Sequence, residues 1–393
     1  MYFDKINAFE DIELLLEYGF KNFFSFKEGA SISLKLDSNC PTNISRGLDF
    51  TTVLGIKGAN GSGKTTVLKA FAFLSHFCCD SFSDKLESRI PIDSFYDSKE
   101  PSEFYSVFII GENTYTYELS LTGEKVLSET IFRKKASGKK IKIVHRIEDK
   151  LIPTKEFERL KAIKLRKNAS LISTAHQYDF NELEELYLYF KQTIYNVSFS
   201  GLHEIPYDIS LVSRFIKEDK QRLEFVKNFS AKCDTGISDI RIIEIEDETK
   251  KKKLVPIFVH KVNDKEQSVT QYTESSGTKA LYRNLPSYHL ILKSGGVMIV
   301  DELETHLHPH LLPKLIELFL DPKINKKNAQ LIFSTHDAEI INLLGRYRTY
   351  LVNKEDNESF TYRLDEIPGD ILRNDRPILP AYTDGKIGGI PRL

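Results

Sequence analysis

No run of apolar residues in this 393-residue chain approaches the ~20 that a membrane-crossing helix needs, so no membrane contact is expected. The N-terminal stretch MYFDKINAFEDIELLLEYGF sets acids among its apolar side chains and has no basic leader, which is not the pattern of a secretory signal. Cysteine is scarce: Cys40, Cys78, Cys79 and Cys233 form neither a Cys-x-x-Cys pair nor a Cys/His ligand spacing. They read as thiols of a reducing compartment, and no zinc site is expected. An excess of charge of one sign is missing too, with 55 basic against 56 acidic residues. There is then no global field to draw nucleic acid, although a local basic face could still do so. Internal repeats and low-complexity tracts are absent. Apolar residues at 41% and charged residues at 28% are those of an ordinary globular protein, long enough to bury a large core and form two or three lobes. A cytoplasmic location is expected.

What the chain does have is a phosphate-binding pattern. Thr51–Phe71 reads TTVLGIKGANGSGKTTVLKAF: an apolar run from Thr51 to Ile56, a glycine-rich turn, then helical spacing at Val67, Leu68, Ala70 and Phe71. Strand, loop and helix in that order are the setting of a P-loop. The glycines let successive backbone N–H groups, with the positive end of the following helix, converge on one anion. The expected nucleotide contacts are Gly58, Ala59, Asn60, Gly61, Ser62, Gly63, Lys64, Thr65 and Thr66. Lys64 would reach the β- and γ-phosphates and Thr65 would ligate magnesium, so ATP and Mg2+ are the expected cofactors.

Around this unit, Glu13–Tyr18 and Ala30–Leu36 have the patterns of strands joined through Gly19–Phe26, and Ser81–Lys99 reads as a surface loop. Alternation from Glu103 to Ile147, broken by Gly111-Glu112-Asn113, Thr122-Gly123-Glu124 and Ser137-Gly138, predicts an antiparallel meander. Thr154–Lys167, Phe180–Tyr195 and Asp208–Phe229 change to helical spacing, which predicts a helical insertion standing off the nucleotide core. Its basic run Arg159, Lys161, Lys164, Arg166 and Lys167 reads as a solvated face before a phosphate-binding one. Strands return at Ile237–Glu246 and Leu254–Val262, with the acidic-then-basic stretch Glu244–Lys253 as an exposed hairpin end. The expected organisation is α/β: residues 1–150 as an N-terminal ATPase lobe with P-loop and β-meander, 151–235 as the insertion, 236–393 as a C-terminal ATPase lobe.

Three later stretches carry chemistry. Val297-Met298-Ile299-Val300 ends in Asp301-Glu302, and carboxylates at the C-terminal end of a buried strand lie at the crevice where open α/β sheets bind ligands. Asp301 is the expected magnesium residue and Glu302 the group that orients or deprotonates water. Gln330–Asp337 is a second strand ending in polar residues, with His336 a candidate γ-phosphate sensor. Between the P-loop and these strands, Ser275-Ser276-Gly277-Thr278 opens a helix and offers another anion site; an ordinary Ser N-cap would look the same.

In this order the motifs resemble ATP-binding-cassette ATPases, and within them the RecF/SMC-like branch of bacterial phage-defence operons, also described as AAA-type or OLD-like. Phe20-Lys21-Asn22-Phe23-Phe24-Ser25-Phe26 is similar to that family's N-terminal motif, Glu274–Thr278 to its signature turn and Leu307-His308-Pro309 to its Leu-His-Pro. Ser334–Asp337 resembles its switch-histidine stretch, and Gly385–Pro391 its C-terminal ending. The resemblance implies a P-loop NTPase with the head architecture of ABC ATPases. It also implies ATP sandwiched between two heads, with Ser276 and Gly277 of one copy closing on the γ-phosphate held by the other, so that hydrolysis requires a dimer. Phe24 stands where the family has arginine, so a cationic contact is missing or comes from elsewhere. His306 replaces a small polar residue, and Gln177 is only a weak match to a glutamine loop. The alternating His306, His308 and His310 suggest a metal, but Pro309 and the helical spacing after it favour a helix entry. Arg283-Asn284-x-x-x-x-His289 matches a loose ribonuclease pattern and is taken as coincidence.

Nothing else on the chain suggests a second chemistry. Two readings follow: the ATPase sensor or regulatory subunit of an anti-phage system, with a separately encoded nuclease or toxin as partner, or a DNA-repair clamp gripping duplex through basic residues of meander and insertion.

Overall fold

The computed structural model describes residues 13–202, 208–233, 236–246, 250–368, 371–374 and 376–390. The extreme N-terminus, Asp247 and Glu248 of the hairpin tip, and Pro391 of the C-terminal motif lie outside the described residues. The first part of the chain forms β1 (Glu13–Lys21), β2 (Ala30–Ser33), α1 (Thr42–Ser45), β3 (Val53–Gly58) and α2 (Lys64–Asp80). The meander follows as β4 (Ser102–Ile110), β5 (Asn113–Leu121), β6 (Val126–Lys135), β7 (Ile141–Ile147) and β8 (Lys150–Pro153). The middle holds α3 (Leu171–Gln177), α4 (Glu184–Lys191), β9 (Ile194–Tyr195), β10 (Val197–Ser198), β11 (Gly201–Leu202), α5 (Ile209–Glu218) and α6 (Lys220–Cys233). Then come β12 (Ile237–Glu246), β13 (Lys252–Val262), β14 (Lys265–Thr270), α7 (Ser276–Ser294), β15 (Val297–Val300), α8 (Leu312–Leu320) and β16 (Gln330–Ser334). The chain closes with α9 (Ile340–Leu344), β17 (Thr349–Glu355), β18 (Glu358–Arg363) and α10 (Leu379–Thr383).

Two sheets organise these elements. The core sheet has the order β18-β17-β3-β16-β15-β9, with β17, β3, β16, β15 and β9 parallel and β18 antiparallel at one edge. The second sheet is antiparallel, in the order β2-β1-β4-β5-β6-β7-β8. Helix α2 lies between them, with its apolar residues Val67, Leu68, Phe71 and Leu74 fully buried. Strand β3 explains the layering by alternation: Leu54 and Ile56 join the cluster around α2, while Val53 joins the cluster under α7 and α8 on the opposite face. The α/β P-loop head expected from the sequence is thus formed, and the meander pairs in consecutive order with β1 added at its edge.

The expected stand-off insertion is corrected. Helices α3 and α4 pack directly on α2, Phe190 packs edge-on against Phe108 and Tyr117 and tilted against Phe71, and β9 is itself an edge strand of the core sheet. The core sheet therefore draws strands from all three expected segments. Helical periodicity reports that a segment has a face to bury, not what will cover it. Lys155–Ala162 forms 3-10 turns in place of the expected helix. The basic run is the solvated face expected of it: Arg159, Lys161, Lys164 and Lys167 are exposed, with surface pairs Arg159–Glu182, Lys161–Glu158 and Lys167–Glu87, while Arg166 binds the carbonyls of Phe82 and Asp84.

Candidate nucleotide-binding and hydrolysis site

The site lies where the parallel strands of the core sheet end. Strand β3 runs into the glycine-rich loop, and Gly61 and Gly63 take φ of 74° and 112°, a region closed to most side chains. At Gly63 a Cβ would lie 2.9 Å from Phe26 Cε2 and 3.0 Å from Ser359 Oγ, so the loop is pressed against the Phe20–Phe26 turn and β18. Ser359 fastens the three together, donating from Oγ to the carbonyl of Ser62 at 2.6 Å and from N to the carbonyl of Ser25 at 2.7 Å. Lys64 folds over the loop, its Nζ 2.9 Å from the carbonyl of Gly58 and 3.1 Å from that of Ala59. Burial lowers its pKa, against the opposing pull of Asp301, Glu302 and Glu304. Ser62 Oγ is buried without a hydrogen-bond partner in the cradle.

Parallel pairing of β15 and β16 next to β3 brings the acidic and histidine stretches to this loop. Thr65 Oγ1 donates to Asp301 Oδ2 at 2.8 Å, a contact between residues 236 positions apart. The other oxygen of Asp301 accepts from Ser334 Oγ at 2.5 Å, and that hydroxyl in turn accepts the N–H of Glu302 at 2.8 Å. Asn196, at the exit of β9, accepts from the N–H of Asp301 at 2.7 Å and donates to its carbonyl at 3.0 Å. Glu302 has a positive φ of 51°, and its half-exposed carboxylate lies 3.9 Å from Nε2 of His336. The N–H of His336 is held at 2.6 Å by Glu304, whose second oxygen is buried without a partner.

The structure thus brings Lys64, Thr65, Asp301, Glu302 and His336 to one edge. The cleft at the loop, about 550 Å3, is lined by Gly61, Gly63, Lys64 and Thr65 facing Phe24, Asp93 and Tyr96; neither Ser276 and Gly277 nor Asp301, Glu302 and His336 line it. Gly277 lies beside the loop that follows Glu302, where a Cβ would be 3.4 Å from the carbonyl of His306. Ser275 caps α7 by accepting the N–H of Thr278 at 3.1 Å. A cation does sit beside Phe24: Lys69 Nζ lies 4.2 Å from the centre of its ring. His308 caps the turn Pro309–Leu311, its Nδ1 accepting from the N–H of His310. Gln177 is exposed at the end of α3, and Asn196 is the side-chain amide that meets the acidic strand. Asn196, Ser334 and Glu304 were not singled out in sequence; only Ser334, at the strand end preceding His336, carried any signal.

The donor set fits the expected cofactors. Thr65 hydroxyl and Asp301 carboxylate are hard oxygens in contact, as magnesium requires of a site that leaves most of its shell to water and phosphate. A glycine-rich loop leading into the N-terminus of α2, with Lys64 at its start, suits a polyphosphate. Among the described residues no group of three His, Cys, Asp or Glu side chains could hold a metal by itself, and no helix is long and apolar enough to cross a membrane.

The solved structures similar to this chain include an SMC head bound to the C-winged helix domain of ScpA, at 15% identity and TM-score 0.43, covering 90% of this chain and 98% of that one. The SMC head domain from Thermotoga maritima is similar at 13% identity and TM-score 0.40, over 89% and 98%. A third is the Smc head with an extended coiled coil bound to the C-terminal domain of ScpA from Pyrococcus furiosus, at 15% identity and TM-score 0.42, over 90% and 98%. No curated protein matches the chain. A family model matches residues 53–342, from the start of β3 into α9, and the chain belongs to that family, described as "AAA domain, putative AbiEii toxin, Type IV TA system".

Proposed function

We propose that the protein is a magnesium-dependent ATPase that works as a head-to-tail dimer with ATP sandwiched between the two heads, and serves as the regulatory subunit of a bacterial anti-phage system, holding or releasing a separately encoded nuclease or toxin. The observation that carries the ATPase reading is the 2.8 Å contact between Thr65 and Asp301, with Glu302 and His336 at the same edge. The defence setting is supported by the family's description and rests on the resemblance.

In this reading the amides of Gly61–Thr66 bind the phosphates and Lys64 swings from its loop carbonyls to the β- and γ-oxygens. Thr65 and Asp301 would hold magnesium, which when bound neutralises charge on the transferring phosphate. Asn196 and Ser334 fix the backbone and one oxygen of Asp301, leaving the other oxygen directed at Thr65. Glu302 orients the attacking water and takes its proton, and His336, whose Nε2 lies 3.9 Å from that carboxylate, senses the γ-phosphate. Ser276 and Gly277 of a second copy complete the site, as the resemblance implies. The DNA-clamp alternative has its exposed basic run to draw on, three of whose cations make surface pairs with acids of the same chain.

Glu302→Gln tests the assignment. The variant should bind ATP, lose at least ~100-fold in hydrolysis and accumulate as a dimer in light scattering; hydrolysis at the parental rate removes Glu302 as the base. Pull-down of that variant from its own operon should retain a stoichiometric protein partner. A partner-free dimer carrying DNA, with hydrolysis steeply dependent on salt, would establish the clamp instead.

A further inference from the structure

Lys57 is the last side chain of β3 before the phosphate-binding loop, and it is fully buried. Alternation along the strand turns Leu54 and Ile56 toward α2 and places Lys57 on the opposite face, with Val53. An aliphatic side chain would satisfy that position at no cost, whereas an ammonium must give up its water. Lys57 Nζ donates to the carbonyl of Asp337 at 2.7 Å and, at a longer 3.4 Å, to that of Thr335, and it lies 5.4 Å from the centre of the Tyr382 ring. Those two carbonyls flank His336.

We propose that Lys57 is a positioning residue for hydrolysis: it ties the backbone on both sides of His336 to the strand that carries the P-loop, and so sets the imidazole in register with the bound phosphate. This rests on the ATPase reading given above. A second tie supports it, since the N–H of Thr335 reaches the carbonyl of Ile56, the residue before Lys57. From the other side Glu304 holds the N–H of His336. The switch segment is thereby gripped through its backbone while its imidazole stays half exposed.

The charged groups facing Lys57 are Asp337 and Glu304, which favour its cation, and Lys64, which opposes it. Burial outweighs them and pulls its pKa down to about 8. Above that pH the grip loses its charge and one donor hydrogen, and the switch segment loosens.

The test uses the full chain and its Lys57→Met variant. Expected are a kcat lowered roughly tenfold or more, because small misplacements of a reacting group are costly, a Kd for fluorescent ATP within about twofold of the parent, and faster deuterium uptake at residues 335–337. The unmodified protein should lose kcat as pH rises past about 8, and the variant should not show that limb. A parental kcat in the variant, a loss of ATP affinity equal to the loss of kcat, or a flat profile through pH 9.5 in the unmodified protein would each overturn the proposal. Lys64, whose pKa burial also lowers, would give a limb of the same sign, so where Lys57→Met folds poorly a second variant, Lys57→Leu, is compared with the parent in kcat, ATP affinity and deuterium uptake. If the unmodified protein hydrolyses no more ATP than Lys64→Ala, the ATPase reading itself fails. Deuterium uptake at 335–337 then still decides whether Lys57 grips the segment.

Discussion

Lys57 and Lys64 belong to one strand–loop–helix unit, and burial lowers the pKa of both. For Lys57 the drop to about 8 has a sign that stability measurements can read. The native protein releases this proton near pH 8, while an unfolded lysine keeps it to its usual 10.5. Between those values the unfolded chain binds more protons, so stability rises with pH. Denaturant titrations should show the unfolding free energy climbing by up to about 1.4 kcal/mol per pH unit between pH 8 and 9, a slope that Lys57→Met removes. Above pH 9 the buried thiols of Cys78 and Cys79, whose pKa values burial raises, contribute the opposite slope. At this scale the sequence was partly legible. Thr65 and Asp301 were nameable because their motifs carry the chemistry in the residue types themselves. Lys57, between the apolar run ending at Ile56 and the glycine-rich turn, was given no role, because its meaning depends on which carbonyls lie across the sheet.

At the scale of elements, β9 shows what local pattern leaves out. It pairs through two residues, too few for periodicity to detect, yet it delivers Asn196 to the backbone of Asp301. Asn196→Ala would leave both of those backbone groups without their partner, at a cost of about 1–3 kcal/mol in stability. It should also lower kcat more than ATP affinity, which steady-state kinetics beside a binding titration would separate; an unchanged kcat would make Asn196 purely structural. The meander was legible because Gly111-Glu112-Asn113 and its counterparts punctuate it, and turn chemistry acts within a few residues. The placement of α3 and α4 was not, since the apolar face of α4 matches equally a free-standing bundle and the side of α2.

For the molecule as a whole, the two sheets must stay in register for the P-loop and the Phe20–Phe26 turn to meet. Gln330 of β16 serves that need: its buried amide accepts the N–H of Leu15 at 2.7 Å and donates to the carbonyl of Leu15 at 2.8 Å, joining the core sheet to β1. Arg363 of β18 does the same toward β2, donating to the carbonyls of Ser33 and Lys35. The C-terminal ending packs back on this edge, where Gly388 and Gly389 take φ of 75° and 76° and the N–H of Gly389 reaches Asn353 Oδ1 at 2.7 Å. If Ser276 and Gly277 act on the γ-phosphate held by a second copy, as the resemblance implies, hydrolysis should depend on that copy. Turnover per chain is expected to rise with protein concentration and then level off, and Ser276→Arg should abolish it in a homogeneous sample. Mixing that variant with Lys64→Ala should restore part of it by pairing one intact half-site from each; turnover independent of concentration would refute the composite site.

The sequence by itself determined the phosphate loop, the acidic strand and the histidine strand, because each is a short stretch whose chemistry depends on neighbouring residues. It also determined that a P-loop unit and an antiparallel meander would form. Only the tertiary structure decided that β9 closes the core sheet, that α3 and α4 cover α2, and that Asn196, Ser334 and Lys57 support the site. Those outcomes rest on contacts between distant parts of the chain, set by which apolar faces bury one another and which buried polar groups find partners.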